Sequence, residues 1–269
     1  MTVDLYHLAS LKEFLQKHGL EAKRSLGQNF LFHERECQKI IQAADIKPRD
    51  KVLEIGPGLG HLTHLMKEAG AEVTAYEIDQ RLTALWPEVY PNTKTELRNQ
   101  DFLQADPKDY SSCTKVVANL PYYIVKEIIQ KLISSNVQFQ SLTFTLQKEE
   151  ALRLAQKPGD QRYGALNAML QILGPVQTPA TIKKDNFYPR PHIDSAILHI
   201  GPITWPETNI WSNTQQIIKT AFSQRRKQLQ TSLKPLNISP EVFAQAGISP
   251  TARPEELAPH SFLLLAQSF

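Results

Sequence analysis

The sequence predicts an α/β domain with a mostly parallel sheet, followed by a small all-α domain. Short apolar runs alternate with helical stretches from residue 52 to residue 146, a pattern typical of parallel strands joined by helices. The first run leads directly into a glycine-rich turn at residues 56–60. After a proline-containing linker near residue 204, helical periodicity continues without another convincing strand. We therefore expect domains at residues 1–203 and 204–269.

The chain opens with a helical signal and a basic loop. Ser10 and Glu13 form a capping-box pattern, and Gly19 is placed to end this first helix. A basic loop that contains glycine follows at residues 23–31.

Seven segments are predicted to be strands. Five should be parallel, with helices between most of them: residues 52–55, 72–76, 96–98, 115–118 and 142–146. Residues 176–182 and 195–200 should instead form an antiparallel pair. The segment between them carries Pro189 and Pro191 and shows no helical period, whereas a parallel crossover needs about a dozen residues or more, usually helical.

The composition is that of an ordinary globular protein. The 269 residues are 41% hydrophobic and carry a formal net charge of +3. No stretch approaches the roughly 18 consecutive apolar residues of a membrane span, and the N-terminus lacks the layout of a secretory signal, so we expect a cytoplasmic protein without a membrane partner. Cys37 and Cys113 form no CxxC pair, so we expect neither a disulfide nor a metal site.

Basic residues cluster in several places. Together they could bind nucleic-acid phosphates if the fold brings them to one surface, although a charged cluster taken alone is more often a solvated face. The clusters are Lys23 with Arg24, Lys183 and Lys184 with Arg190, and Arg225 and Arg226 with Lys227.

The glycine turn at residues 56–60 indicates a close backbone approach to a ligand. Glycines at such a turn tolerate positive φ and leave room for the ligand. A dinucleotide fingerprint would need a further glycine where this chain has His61, and the lysine of a P-loop is also missing. A diphosphate ligand is therefore disfavoured, and a purely structural turn remains the alternative.

Acidic residues follow the next two strands. Glu77 and Asp79 end the second strand, where a carboxylate can accept hydrogen bonds from a ribose diol. Asp101, beside Phe102, ends the third and suits an adenine amine and ring, although it could simply cap the next helix. An adenosine without phosphates fits this set, and S-adenosylmethionine is such a ligand.

The most informative tetrapeptide is Asn119, Leu120, Pro121 and Tyr122, which follows the fourth strand. An adenine N6 amine is a poor nucleophile because its lone pair is delocalised into the ring. The side-chain oxygen of Asn119 and a main-chain carbonyl of Leu120 or Pro121 could accept its two N–H groups and direct the lone pair toward a methyl donor. Tyr122 could stack on the base. An Asn-initiated turn with proline is the structural alternative.

At this point the sequence resembles the ribosomal RNA adenine dimethyltransferases, and among them those that act on the small subunit. The resemblance covers nearly the whole chain and also includes Tyr163 and Gly164. Its main motifs are KRSLGQNFL (23–31), LEIGPGLGHLT (53–63), YEID (76–79), NLPYYI (119–124), QKE (147–149), FYPRPHIDS (187–195) and AFSQRRK (221–227).

The resemblance implies a Rossmann-like class I methyltransferase sheet that is parallel except for one strand. It implies that S-adenosylmethionine contacts Asn29, Leu31, Gly56, Glu77, Asp101 and Asn119. Phe187 would face Tyr122 across the target base. The family adds two methyl groups to each of two adjacent adenosines in a hairpin loop near the 3′ end of 16S rRNA. The C-terminal helices would dock the enzyme, expected to be a monomer, on the immature small subunit.

Two positions depart from the family pattern, and other functions compete. Gln100 stands where glycine is usual and could alter the adenine pocket, and Thr145 stands where a larger apolar residue is common. The nearest alternative is a large-subunit rRNA methyltransferase with the same chemistry, although the AFSQRRK segment and the residues 253–256 fit the small-subunit group better. A ribosome-assembly factor is a second alternative, and DNA adenine or small-molecule methylation comes third.

Overall fold

A computed structural model describes residues 4–23, 26–90 and 95–268. The chain forms two compact units. The first, the sheet unit, comprises Met1–Ala151 and Gln177–His199, and the second, the helical unit, comprises Leu152–Val176 and Ile200–Phe269. No helix within the described ranges is long and apolar enough to cross a membrane.

The strands are β1 Phe30–Leu31, β2 Lys51–Ile55, β3 Glu72–Glu77, β4 Glu96–Asn99, β5 Lys115–Asn119, β6 Ser141–Gln147, β7 Val176–Gln177, β8 Thr181–Ile182, β9 Phe187–Tyr188 and β10 Ser195–Ile200. The helices are α1 Leu8–Lys17, α2 Glu34–Ala43, α3 His61–Glu68, α4 Gln80–Thr83, α5 Trp86–Val89, α6 Val125–Ser134, α7 Lys148–Leu154, α8 Ala165–Leu173, α9 Thr208–Ser223, α10 Leu229–Ser232, α11 Pro240–Gln245 and α12 Pro259–Gln267. Single 3₁₀ turns occur at Phe102–Gln104, Pro107–Tyr110, Lys184–Asn186, Lys234–Leu236 and Pro254–Glu256.

The main sheet has the order β4-β3-β2-β5-β6-β10-β7, with β8 also paired to β10. Strands β2 to β6 pair in parallel, as the sequence predicts, and β8 pairs with β10 in antiparallel fashion. The central strands β2, β5 and β6 are buried along most of their length because helices cover both faces of a parallel sheet. The carboxyl ends of β2, β3 and β5 therefore meet at one edge, where ligands of such sheets bind.

Two local predictions need correction. Helix α1 begins at Leu8 after His7, which makes no side-chain capping bond, so Ser10 lies inside the helix and the predicted capping box does not form. Gly19 does follow the helix, with φ +62°. The strand predicted at residues 176–182 is two short strands, β7 and β8, separated by three residues outside the ladder.

A second sheet of two short strands was absent from the sequence prediction. Strands β1 and β9 pair in antiparallel register, Phe30 opposite Tyr188 and Leu31 opposite Phe187. Two-residue strands carry too little periodicity to be recognised in a sequence. Their pairing brings the basic loop of residues 23–31 against the segment that begins at Phe187.

The helical unit has its own core. Helix α9 packs against α8 and α12, and the rings of Tyr163, Phe222 and Phe262 form a chain of aromatic contacts. Because α8 belongs to this core, residues 152–176 group with the C-terminal helices, whereas the boundary expected near residue 204 would leave them with the sheet.

Candidate active site

A cavity lies in the sheet unit at the carboxyl edge of β2, β3 and β5. It brings together residues that are far apart in the sequence: the loop before α2, the glycine turn after β2, and the ends of β3, β4 and β5. The predicted residues that line it are Asn29, Leu31, Gly56, Glu77, Asp101, Asn119, Leu120, Pro121 and Tyr122. Nearly all of the predicted cofactor and catalytic residues thus share one cavity.

The glycine turn at residues 56–60 depends on the positive φ of its glycines, and two aromatic side chains stabilise it through hydrogen bonds. Gly56, Gly58 and Gly60 have φ values of +69°, +60° and +82°. Trp86 Nε1–H donates to the Gly58 carbonyl at 2.9 Å, and the Tyr90 hydroxyl donates to the Gly60 carbonyl at 2.5 Å. A Cβ added at Gly60 would lie 2.6 Å from Tyr90 Cε2, so a larger residue does not fit.

Glu77 presents its carboxylate to the cavity from a buried position. One oxygen accepts the Gly58 N–H at 3.0 Å and the other accepts the Asp79 N–H at 2.9 Å. Burial raises the pKa of Glu77 above its ordinary value, and the two backbone bonds oppose this. Each carboxylate oxygen can accept a further hydrogen bond from a ligand.

Asp79 has a different task from Glu77. Its Oδ1 accepts the Arg81 N–H and caps α4, and its Oδ2 forms an ion pair with Arg81 and also accepts a hydrogen bond from Gln28 Nε2 at 2.9 Å. The hydrogen bond from Arg81 is the main reason why the pKa of Asp79 falls to about 2. Because the Gln28 side chain also accepts the Lys23 N–H, Asp79 anchors the basic loop beside the cavity.

Asp101 caps the following turn and also lines the cavity, and its contact with an adenine amine stays a prediction. Its Oδ1 accepts the Leu103 N–H at 2.9 Å, so it caps the following 3₁₀ turn, and it also lines the cavity. The preceding Gln100 lines the cavity as well, and its N–H donates to the Glu77 carbonyl at 3.0 Å. Gln100 does not have a positive φ, so this position does not need glycine here.

Asn119 is oriented by the basic loop. Its Nδ2 donates to the Asn29 carbonyl at 3.1 Å, which leaves the side-chain Oδ1 as an acceptor. The next peptide is tied to β6, because the Leu120 N–H donates to the Thr145 carbonyl at 3.2 Å. The Pro121 carbonyl accepts the Ile124 N–H at 3.3 Å and so closes a turn before α6.

The two predicted aromatic residues are placed differently. The Tyr122 hydroxyl and Ser195 Oγ are 3.0 Å apart in a hydrogen bond, and burial raises the pKa of Tyr122. Phe187 is only 2% exposed, belongs to the core beside β1, and is not among the residues that line the cavity. Its position opposite Tyr122 across a base stays a prediction.

The predicted RNA-binding residues of the sheet unit are only partly described. Lys23 is exposed at the start of the basic loop, whereas Arg24 lies outside the described residues. Arg190 is exposed and forms an ion pair with Asp185.

The AFSQRRK cluster, in the helical unit, combines one anchored cation with two exposed ones. Arg225 donates to the Asp160 carbonyl and lies 3.9 Å from a carboxylate oxygen of Glu255. Arg226 and Lys227 are exposed. Arg225 therefore stabilises its own unit, and the other two are the better tests of RNA binding.

Several residues that shape the site were missed by sequence reasoning. Trp86, Tyr90, Gln28 and Ser195 act through specific hydrogen bonds, which composition and periodicity do not reveal. Gln28 and Ser195 do lie within motifs of the family resemblance. Trp86 and Tyr90 offered no such signal, since buried aromatic residues near a helix are typical of any core.

Comparisons with known proteins show the family of this chain. Residues 19–269 match the family model described as "Ribosomal RNA adenine dimethylase". Two relatives are named "Ribosomal RNA small subunit methyltransferase A". The protein from Lactobacillus acidophilus is 37% identical and the match covers 96% of this chain and 94% of its own. The protein from Bacillus mycoides is 33% identical, with 96% of this chain and 94% of its own covered.

Two solved structures show the same fold. A dimethyladenosine transferase from Plasmodium falciparum is 26% identical with a TM-score of 0.71, and the match covers 86% of this chain and 94% of that one. The 23S rRNA methyltransferase ErmE is 25% identical with a TM-score of 0.65, and the match covers 89% of this chain and 99% of that one.

Proposed function

Because this chain belongs to the ribosomal RNA adenine dimethylase family, we propose that it transfers methyl groups from S-adenosylmethionine to the N6 nitrogens of adenines in small-subunit ribosomal RNA. The observation that carries the proposal is the orientation of Asn119 at the end of β5. Its amide N–H group is bonded to the Asn29 carbonyl, so its Oδ1 is left to accept a hydrogen bond from the target amine.

The amine needs two acceptors to become a nucleophile. Asn119 Oδ1 is the first. The Leu120 carbonyl is the better second acceptor, because the Pro121 carbonyl is already bonded to the Ile124 N–H. Accepting both N–H groups localises the lone pair of the nitrogen. The end of β5 then holds the amine in line with the methyl group that it attacks.

The chemistry needs no strong base. The nitrogen becomes acidic as it is alkylated and can lose a proton to water. Besides Glu77, Asp101 and three tyrosines, the titratable side chains that line the cavity are Glu54 and His61, and both are engaged elsewhere. Glu54 accepts a hydrogen bond from Thr63 Oγ1, and the His61 ring is bonded to the Leu5 carbonyl. Burial also lowers the pKa of His61 to about 4, so the ring is neutral at physiological pH.

The cavity suits S-adenosylmethionine, whose sulfonium supplies the methyl group and the leaving group. Each carboxylate oxygen of Glu77 can accept one more hydrogen bond, and we assign these to the ribose hydroxyls. We assign Asp101 Oδ2, the oxygen that does not cap the following turn, to the adenine amine. Gly56 allows close backbone approach, and Asn29 and Leu31 also line the cavity.

Aromatic rings would hold the target base. The hydrogen bond to Ser195 fixes Tyr122, which can stack on the adenine. Phe187 can reach the opposite face only if its ring leaves the core when RNA binds.

The proposed substrate is a hairpin loop near the 3′ end of 16S rRNA, in which two adjacent adenosines each receive two methyl groups. Loop bases can be splayed out of a stack, which the cavity requires. We further propose that the immature small subunit is the form recognised, that Lys23, Arg190, Arg226 and Lys227 contact phosphates, that the helical unit contributes to docking, and that the enzyme acts as a monomer. A role in small-subunit biogenesis follows from this substrate.

A methyl-transfer assay tests the proposal. The protein is incubated with labelled S-adenosylmethionine and either unmethylated small subunits or unmethylated large subunits. We expect label in small-subunit RNA, on adenine N6. Label confined to large-subunit RNA would favour the activity named for ErmE and overturn the proposed substrate.

A further inference from the structure

Two adjacent tyrosines occupy the centre of the turn that Pro121 and Ile124 close. Tyr122 is partly buried and bonded to Ser195. Tyr123 has 58% of its surface exposed, and no hydrogen bond of its hydroxyl is found to any described residue. Both tyrosines line the cavity. The second tyrosine therefore presents an aromatic surface at the same cavity with no intramolecular task.

The ring of Tyr123 is held in place on one side. A Cβ added at Gly27, where φ is +62°, would lie 3.2 Å from Tyr123 Cε1 and 2.9 Å from Pro121 Cβ. The backbone of the basic loop thus lies directly against the ring edge, and it can do so only because residue 27 is glycine. One edge of the ring is supported and the rest remains open to solvent.

Exposed apolar surface is concentrated at this cavity. Among the large hydrophobic side chains in the described part of the chain, Tyr123 and Ile78, at 58% and 53%, are the most exposed. Both line the cavity. Exposed apolar side chains gathered at one cavity mark a ligand-binding surface.

We propose that Tyr123 is a stacking platform for the base of a nucleotide next to the target adenosine. The proposal rests on the proposed function. With the target adenine held by Asn119 and Tyr122, we place the neighbouring nucleotide of the single strand against the next residue of the turn. An aromatic face supported by a loop that also carries the exposed cation Lys23 is the combination that binds single-stranded nucleic acid.

The stack accepts any base, because every base has a π-face. Tyr123 therefore contributes RNA affinity and places the strand, while Asn119 selects the adenine. The other possible occupant is the methyl donor, and the experiment separates the two.

The experiment compares Tyr123→Ala with Tyr123→Phe, which keeps the ring and removes only the hydroxyl. KM for unmethylated small subunits and Kd for S-adenosylmethionine are measured for both variants and for the wild type. Leu8→Ala, at an exposed apolar residue of the sheet unit that does not line the cavity, is the matched control. We expect Tyr123→Ala to raise KM for the subunit by about 10- to 100-fold, the size of one lost base–aromatic stack.

Tyr123→Phe and Leu8→Ala should keep KM for the subunit within about twofold of the wild type, and all variants should bind S-adenosylmethionine normally. An unchanged KM for the subunit in Tyr123→Ala, or an equal rise of this KM in Tyr123→Phe, would overturn the stacking role. A raised Kd for S-adenosylmethionine with normal subunit KM would assign Tyr123 to the methyl donor instead. If the wild type itself left adenines of the subunit unmethylated, the proposed function would fail first.

Discussion

Replacing Trp86 by phenylalanine should weaken S-adenosylmethionine binding without removing the fold. The Trp86 indole donates to the Gly58 carbonyl at 2.9 Å, and the N–H of the same glycine donates to Glu77 at 3.0 Å. Trp86 thus holds the carbonyl of Gly58, while the N–H of Gly58 orients the Glu77 carboxylate that we assign to the ribose. Phenylalanine keeps an aromatic ring against Tyr90 and loses this donor.

The size of the effect follows from the exposure of Gly58. A buried carbonyl that loses its partner costs about 1–3 kcal/mol. Gly58 is only partly buried, so water can take part of the lost bond and the lower half of that range applies. If a loss of about 1–2 kcal/mol falls wholly on the bound state, Kd rises by roughly 5- to 30-fold, which is the upper limit of the effect.

Calorimetric titration of S-adenosylmethionine into the cofactor-free protein measures this Kd, and thermal unfolding measures Tm in parallel. Trp211→Phe is the matched control, because Trp211 is also buried, at 2% exposure against 5% for Trp86, and it belongs to the helical unit and does not line the cavity. It should lower Tm and leave Kd unchanged. A Trp86→Phe variant that lost Tm to the same extent but bound S-adenosylmethionine like the wild type would refute the positioning role.

Three further predictions concern the catalytic residue, a buried acid and the basic cluster. Asn119→Ala should lower kcat by about 100-fold or more while the Kd for S-adenosylmethionine changes little, because an acceptor used in the transition state is lost; near-normal single-turnover rates would contradict the two-acceptor mechanism. Burial raises the pKa of Glu54 to about 8, above the value of 4.5 expected in the unfolded chain. As the pH rises between these values, the unfolded chain loses the proton first, so the free energy of unfolding of the cofactor-free wild type should fall relative to Glu54→Gln, by up to about 1.4 kcal/mol per pH unit; denaturant titrations that run parallel across this range would disprove the assignment. Charge reversal at Arg226 and Lys227 should weaken subunit binding and reduce its salt dependence, while Tm stays unchanged because both side chains are exposed; filter binding at several salt concentrations that showed no change would leave them a solvated face.

The sequence predicted those parts of the fold whose signal repeats along the chain. Strands β2, β5 and β6 carry short apolar runs, and the turn after β2 carries three glycines in five residues, so the sequence alone predicts both. The side chains at the carboxyl ends of the parallel strands had to converge for the same reason, which is why Glu77 and Asn119 could be placed in one site.

The parts that escaped prediction depend on contacts between distant residues. Strand β1 contains only Phe30 and Leu31, and it is a strand only because β9 pairs with it about 157 positions later along the chain. The assignment of residues 152–176 to the helical unit depends in the same way on the packing of α8 against α9 and α12. The resemblance implied the site residues Asn29 and Leu31, while residues 23–31 read alone predicted only a basic loop.

The most direct test of the account is the chemical identity and position of the methyl groups. Small subunits lacking this modification are treated with the protein and S-adenosylmethionine, their RNA is digested, and the fragments are sequenced by mass spectrometry. The account predicts N6,N6-dimethyladenosine at two adjacent positions in a hairpin loop near the 3′ end of 16S rRNA, and nowhere else in that RNA. Methyl groups on other atoms or at unrelated positions, or an unmodified small subunit beside a modified large one, would contradict it.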